Sequence, residues 1–178
     1  MTKEIIYEIV KHVGQTLQLA IRTVVFDHSK TVEFEYIKRK NVALIIPLNA
    51  NKDIVLLEQY RVAVDDFVLE FPGGKRNDDE SIYDTAKREL EEETGFEANC
   101  FELIGTFYTA PHFTDEKIFV FLAQVERQKQ QKLENEEILK LKIMTFEEVF
   151  VLYRNGNITD AKTRIAVSML AKKFNLHA

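Results

Sequence analysis

The run Arg88-Glu89-Leu90-Glu91-Glu92-Glu93 holds carboxylates at a spacing suited to divalent-cation chemistry. On a helix successive side chains turn by about 100°, so Ile82, Ala86 and Leu90 make one apolar stripe. Glu93 falls within that stripe and Glu89 lies roughly 60° to its side. A carboxylate aimed at a core is costly unless it is paired or binds a metal. Glu89 and Glu93, four apart, can share one cation or bridge two, with Glu92 beside them. Oxygen donors without nearby Cys or His favour Mg²⁺ or Mn²⁺ over zinc. The plainer alternative leaves Glu89 and Glu93 in surface ion pairs with Lys87 or Arg88.

The elements around this helix follow from local pattern. Its period starts near Ser81 and stops at Thr94, with Gly95 placed to end it. Phe71-Pro72-Gly73-Gly74 breaks the pattern before it. Upstream, Thr23–Asp27 and the alternating Val32–Tyr36 read as a hairpin about an Asp27–Lys30 turn. Val42–Leu48 and Ile54–Leu57 are continuous apolar runs of the kind buried on both faces. Downstream, Phe101–Tyr108, Ile118–Val125 and Ile138–Met144 read as strands, and Glu126–Glu137 as a charged loop. Thr145 and Asp160 cap two closing helices, ending near Arg154 and Phe174. This order predicts an α+β fold with helices on both sides of a mixed sheet. An N-terminal antiparallel β segment, 1–40, precedes a main domain, 41–178.

Composition narrows the partners. The 178 residues carry a net charge of -5, and 46% are hydrophobic, an ordinary globular composition. Residues 78–97 alone hold nine acids and two bases, a local net of -7, which leaves +2 for the remainder. That balance argues against a general binder of nucleic-acid backbones. Cys100 is the sole cysteine, so neither an intramolecular disulfide nor a thiolate zinc cluster can form, which fits a cytoplasmic setting. No secretory signal is recognisable at the N-terminus, and no apolar run approaches the ~20 residues needed to cross a bilayer.

From Gly74 to Phe96 the chain resembles the Nudix box: glycine, five residues, Glu80, seven residues, Arg88-Glu89-Leu90, one residue, Glu92-Glu93, one residue, Gly95 and an aliphatic. Phe96 departs, being aromatic. The resemblance implies an α/β/α sandwich and a hydrolase of nucleoside diphosphates linked to another group. Carried onto these positions, it makes Glu89, Glu92 and Glu93 metal ligands with the Gly73 carbonyl, and Arg88 and Glu80 the residues that orient them. Gly74 and Gly95 serve the motif structurally. The cofactor implied is two or three Mg²⁺ ions, with Mn²⁺ possible.

Outside the box, Gln59-Tyr60-Arg61 and Pro111, 16 residues past Gly95, are similar to the ADP-ribose pyrophosphatase branch. That likeness makes Arg61 a phosphate or ribose contact, a role its bidentate geometry suits. An ion pair with Asp65 or Asp66 is its alternative. Pro111, Phe113, Asp115 and Glu116 become substrate-loop residues, although His112 stands where the branch commonly has glycine. Glu134 becomes the general base for the attacking water, and Glu136 a further metal contact. The branch also implies a homodimer through the N-terminal strands, with Phe26 or Phe34 reaching a neighbour's adenine. The expected reaction is ADP-ribose to AMP and ribose 5-phosphate. GDP-mannose or another nucleotide sugar is the alternative substrate, and a non-catalytic nucleotide sensor the alternative class.

Overall fold

A computed structural model describes residues 1–14, 17–128, 130–131 and 139–175. It divides into two units, Met1–Lys40 with Tyr108–Lys117, and Asn41–Phe107 with Ile118–Ala178. Sequence pattern gave no sign that the segment after Tyr108 joins the first unit.

In the first unit, β1 (Lys3–Val13), β2 (Gln18–Phe26) and β3 (Lys30–Lys38) form an antiparallel sheet with β2 in the centre. Asp27 and His28 take positive φ in the β2–β3 turn, a conformation that Asp and His tolerate better than most residues. Glu8 accepts from Arg22 (2.6 Å), Tyr36 (2.8 Å) and Lys38 (2.6 Å), so one carboxylate ties all three strands together. The Tyr108–Lys117 segment joins the end of this sheet, where the Ile37 N–H donates to the Phe113 carbonyl at 2.7 Å.

In the second unit the sheet order is β10 (Leu139–Met144), β5 (Ile54–Arg61), β4 (Val42–Leu48), β9 (Lys117–Gln128) and β8 (Phe96–Tyr108). β4 runs parallel to β9 and antiparallel to β5, so the sheet is mixed as expected. Two strands were not anticipated: β6 (Asp66–Glu70), paired with β5, and β7 (Gly73–Lys75), paired with β4. β9 also continues to Gln128, three residues into the stretch read as a loop.

The apolar run of β4 explains the layering. Val42, Leu44 and Ile46 pack with Val149 and Phe150 of α2 (Phe146–Arg154) and with Ala166, Val167 and Leu170 of α3 (Ala161–Lys173). Ala43 and Ile45 face the other way, against Ala86 and Leu90 of α1 (Ile82–Thr94). Alternation on a strand sends neighbours to opposite faces, so a strand apolar at every position must be covered twice. Among the described residues, no helix is long and apolar enough to cross a membrane.

Candidate active site

Local chemistry sets both ends of α1. The Ser81 hydroxyl caps the start by accepting the Asp84 N–H, and Gly95 ends the helix in the left-handed region at φ 71°. Leu90 and Ala86 are fully buried, which fixes the helix rotation and carries Glu89 and Glu93 inward to 8% and 4% exposure. Both turn toward β7. The Gly73 N–H donates to Glu93 Oε2 at 2.7 Å. The Gly74 backbone runs so close to Glu89 that an added Cβ would lie 2.1 Å from Glu89 Oε1. Gly73 is equally confined, since a Cβ there would meet the Ala43 carbonyl at 2.3 Å. The two glycines are therefore places where the chain passes between β4 and the acidic helix face.

Arg88 organises the outer carboxylates. Its guanidinium contacts Glu80 at 2.7 Å, Glu89 at 2.8 Å and Glu92 at 2.8 Å, and also donates to the Lys75 carbonyl at 3.1 Å. The Arg88 contact holds the Glu80 carboxyl down at about 2, helped by the Asn77 N–H and the Thr85 hydroxyl. Burial works against the Arg88 charge, but Glu80, Glu89 and Glu92 outweigh it and raise its pKa. The alternative of a surface pair with Arg88 is thus half realised: Glu89 does pair with it, yet is buried. Arg88 and Glu92 also border an open cleft of about 380 Å³.

Among the described residues, no three acidic or imidazole side chains stand ready-made about a point that a cation could take. The donor chemistry nevertheless fits hard divalent cations. Glu80, Glu89, Glu92 and Glu93 with Arg88 are four carboxylates and one guanidinium, net -3, with oxygen donors throughout. The absence of a side chain at Gly74 is what lets the Glu89 carboxylate lie against the β7 backbone.

Arg61 forms its ion pair with Glu70, at 2.7 and 2.8 Å, rather than with Asp65 or Asp66. Asp65 instead accepts from the Tyr60 hydroxyl at 2.7 Å. The Arg61 pKa is raised, first by the Glu70 hydrogen bonds and further by the charge of Glu93. In the first unit, Pro111 and Asp115 line a cavity of about 510 Å³ together with Phe26, Phe34, Tyr36, Tyr108 and His112. Both phenylalanines left open by the sequence stand in its wall, their rings edge to face at 6.2 Å. Lys3 and Arg22 bring positive charge to its wall, and Glu35 and Asp115 negative charge. Phe113 is exposed with its ring against His112, while Asp115 and Glu116 are held by Arg39 at 2.7 and 3.2 Å. Glu134 and Glu136 lie outside the described residues.

Sequence reasoning missed three participants. Glu70, a lone acid within Val68-Leu69-Glu70-Phe71, carried a signal: an acid at the end of an apolar strand demands a partner. Lys162 and Gln131 carried none. The Gln131 side-chain amide donates to the Glu93 carbonyl, one of the acceptors that the last turn of α1 leaves unmatched.

A buried face of this charge can receive an anionic substrate only with cations between the two, an arrangement that suits a hydrolase of phosphoanhydrides. The comparisons with known proteins agree. A family model for the NUDIX domain matches residues 38–165, and the chain belongs to the Nudix family. It is 30% identical over 167 residues to an ADP-ribose pyrophosphatase of Bacillus subtilis (strain 168), covering 93% of this chain and 90% of that one. It is 32% identical over 159 residues to a methanol dehydrogenase activator of Bacillus methanolicus, covering 88% and 86%. A crystal structure of an ADP compounds hydrolase shares the fold with a TM-score of 0.82 at 20% identity, covering 98% of this chain and 95% of that chain.

Proposed function

We propose that this protein hydrolyses the pyrophosphate bond of a nucleoside diphosphate sugar, with ADP-ribose, cleaved to AMP and ribose 5-phosphate, as its foremost substrate. The observation that carries the reading is the inward turn of Glu89 and Glu93 onto the Gly73-Gly74 strand. The choice of ADP-ribose rests on the Bacillus subtilis relative. The aromatic cavity of the first unit supports a nucleotide, since its rings suit a nucleobase face.

Glu89, Glu92, Glu93 and the Gly73 carbonyl would hold Mg²⁺, with Glu136 as a further contact. Bound there, the ions supply charge neutralisation for the pyrophosphate oxygens and a nucleophilic water. The protein's own groups do the rest. Arg88 keeps Glu89 and Glu92 in place through its contact with Glu80. Arg61 meets the phosphates, and Glu134 takes the proton of the attacking water as the bridging P–O bond breaks. Pro111, Phe113, Asp115 and Glu116 shape the substrate loop.

Two copies associate through the N-terminal sheet in this reading, because Ile5, Tyr7 and Val13 of β1 are exposed apolar groups. The lone cysteine fits a cytoplasmic protein. A second reading, activation of a dehydrogenase, is favoured by the 32% identity to the Bacillus methanolicus activator. The deciding experiment is a panel of ADP-ribose, GDP-mannose, diadenosine polyphosphates and nucleoside triphosphates with Mg²⁺ or Mn²⁺, read as AMP or GMP release. Hydrolysis of none of the nucleoside diphosphate sugars would overturn the enzyme reading.

A further inference from the structure

The Arg61–Glu70 pair lies at a junction of three elements. Glu70 ends β6 at 3% exposure and is approached from two sides. Arg61 binds both of its oxygens, Nε to Oε1 at 2.7 Å and Nη2 to Oε2 at 2.8 Å. Lys162, from the first turn of α3, stands 3.6 Å from Oε2 and is itself held by Asp160 at 2.7 Å. The next backbone group is pinned as well, for the Phe71 N–H donates to the hydroxyl of the fully buried Thr163 at 3.1 Å. Glu70 is thus mounted rigidly, three residues before Gly73.

Arg61 is different. Its side chain keeps 43% of its surface while its partner keeps 4%. A guanidinium has five N–H groups arranged along edges. Glu70 takes the Nε/Nη2 edge, which leaves the Nη1/Nη2 edge turned away from the carboxylate and matched in shape to a phosphate. Three residues past Glu70 the Gly73 N–H donates to Glu93 at 2.7 Å, so the pair is separated from the acidic helix face by no more than about 11 Å of chain.

We propose that Glu70 is a positioning residue for Arg61: seated against Lys162, the buried carboxylate orients the guanidinium so that its outer edge receives the substrate's pyrophosphate. This rests on the nucleotide-sugar reading above and deepens it. Holding one edge of the arginine removes rotamer freedom before substrate arrives, so less ordering is left to occur on binding.

The test is a double-mutant cycle on the full-length protein with Glu70→Gln, Arg61→Ala and both together, measured as kcat and KM for ADP-ribose with Mg²⁺. The same cycle is run by calorimetry, with Mg²⁺ present, on the affinity of an ADP-ribose analogue whose bridging oxygen is replaced by methylene and which therefore cannot be hydrolysed. Arg61→Ala is expected to lower kcat/KM by about 10- to 100-fold, the range for losing a charge-assisted contact, mostly through KM. Glu70→Gln should cost roughly tenfold beside Arg61 and less than about twofold in the Arg61→Ala background. Arg61→Lys, which leaves Glu70 intact and protects against a Glu70 variant that fails to fold, should resemble Arg61→Ala because an ammonium has no second edge. Equal losses from Glu70→Gln with and without Arg61 would overturn the proposal, as would an Arg61→Lys enzyme that matches the parent. Coupling in the analogue affinities of a parent that does not hydrolyse ADP-ribose would uphold the positioning role and reject the hydrolase reading alone. No coupling in either measurement rejects the positioning role.

Discussion

Replacing Gly74 by alanine asks for the smallest possible change at the most crowded point of the site. The new Cβ would lie 2.1 Å from Glu89 Oε1, 2.2 Å from its Cδ and 2.5 Å from Oε2. Ordinary contact begins near 3.4 Å, so the carboxylate must retreat by at least about 1.3 Å, the difference between 3.4 and 2.1 Å. Metal–ligand distances tolerate roughly 0.2 Å, so a displacement several times larger removes Glu89 from any coordination shell it serves. A misplacement of about 1 Å at a catalytic centre costs on the order of 100-fold, or ~2.7 kcal/mol of barrier at 1.36 kcal/mol per tenfold. The fold should survive. Gly74 is outside the left-handed region, so alanine meets no backbone strain, and the displaced group is the end of a flexible side chain. Thermal melts of Gly74→Ala should therefore shift by a few degrees at most, while kcat for ADP-ribose falls by about 100-fold and the Mg²⁺ half-saturation point rises. A variant within about threefold of the parent in kcat, at an unchanged Mg²⁺ midpoint, would refute the argument that this glycine exists to admit the Glu89 carboxylate.

Other perturbations reach the same reasoning from different sides. Glu93→Gln keeps an acceptor for the Gly73 N–H and so should fold, yet turnover should vanish; retained activity within about tenfold would remove Glu93 from the ligand set. Glu134→Gln should alter the pH–rate profile, and a profile identical to the parent's would reject Glu134 as the base. The Glu8 carboxyl is held at about 2, against an ordinary 4.5, by hydrogen bonds from Lys38, Arg22 and Tyr36. A depressed acid contributes stability that is complete above pH 4.5 and is lost as the pH falls from there toward 2. Thermal melts across that window should therefore drop less steeply for Glu8→Gln than for the parent. Ile5→Lys with Tyr7→Lys on β1 should convert the proposed dimer to monomers in light scattering; an unchanged mass would exclude β1 from the interface.

Where sequence and structure agree, the cause is local. The limits of α1 were legible because Ser81 and Gly95 are capping residues whose effect spans one turn. The burial of β4 on both faces was legible from an apolar run without alternation. Glu80 and Arg88, which the family resemblance sets to orient the other carboxylates, do meet at 2.7 Å, and only eight residues of turn and helix separate them. The strands β6 and β7 were not legible: the apolar run Phe67-Val68-Leu69 of β6 is too short to show a period, β7 is three residues of which two are glycine, and both are defined by pairing with β5 and β4.

By itself the sequence determined the spacing of the residues proposed to carry the chemistry. The register of Gly74, Glu80, Arg88, Glu89, Glu92, Glu93 and Gly95 is a property of one turn and one helix, so spacing along the chain is also spacing in space. The tertiary structure decided what those residues meet. That Arg61 pairs with Glu70 and not with Asp65 or Asp66 depends on β5 lying beside β6. That Lys162 stands behind Glu70 depends on α3 packing, 92 residues further along the chain, against the same strand. A buried carboxylate takes whichever cation the packed layers bring within reach, and no local rule states which one that will be.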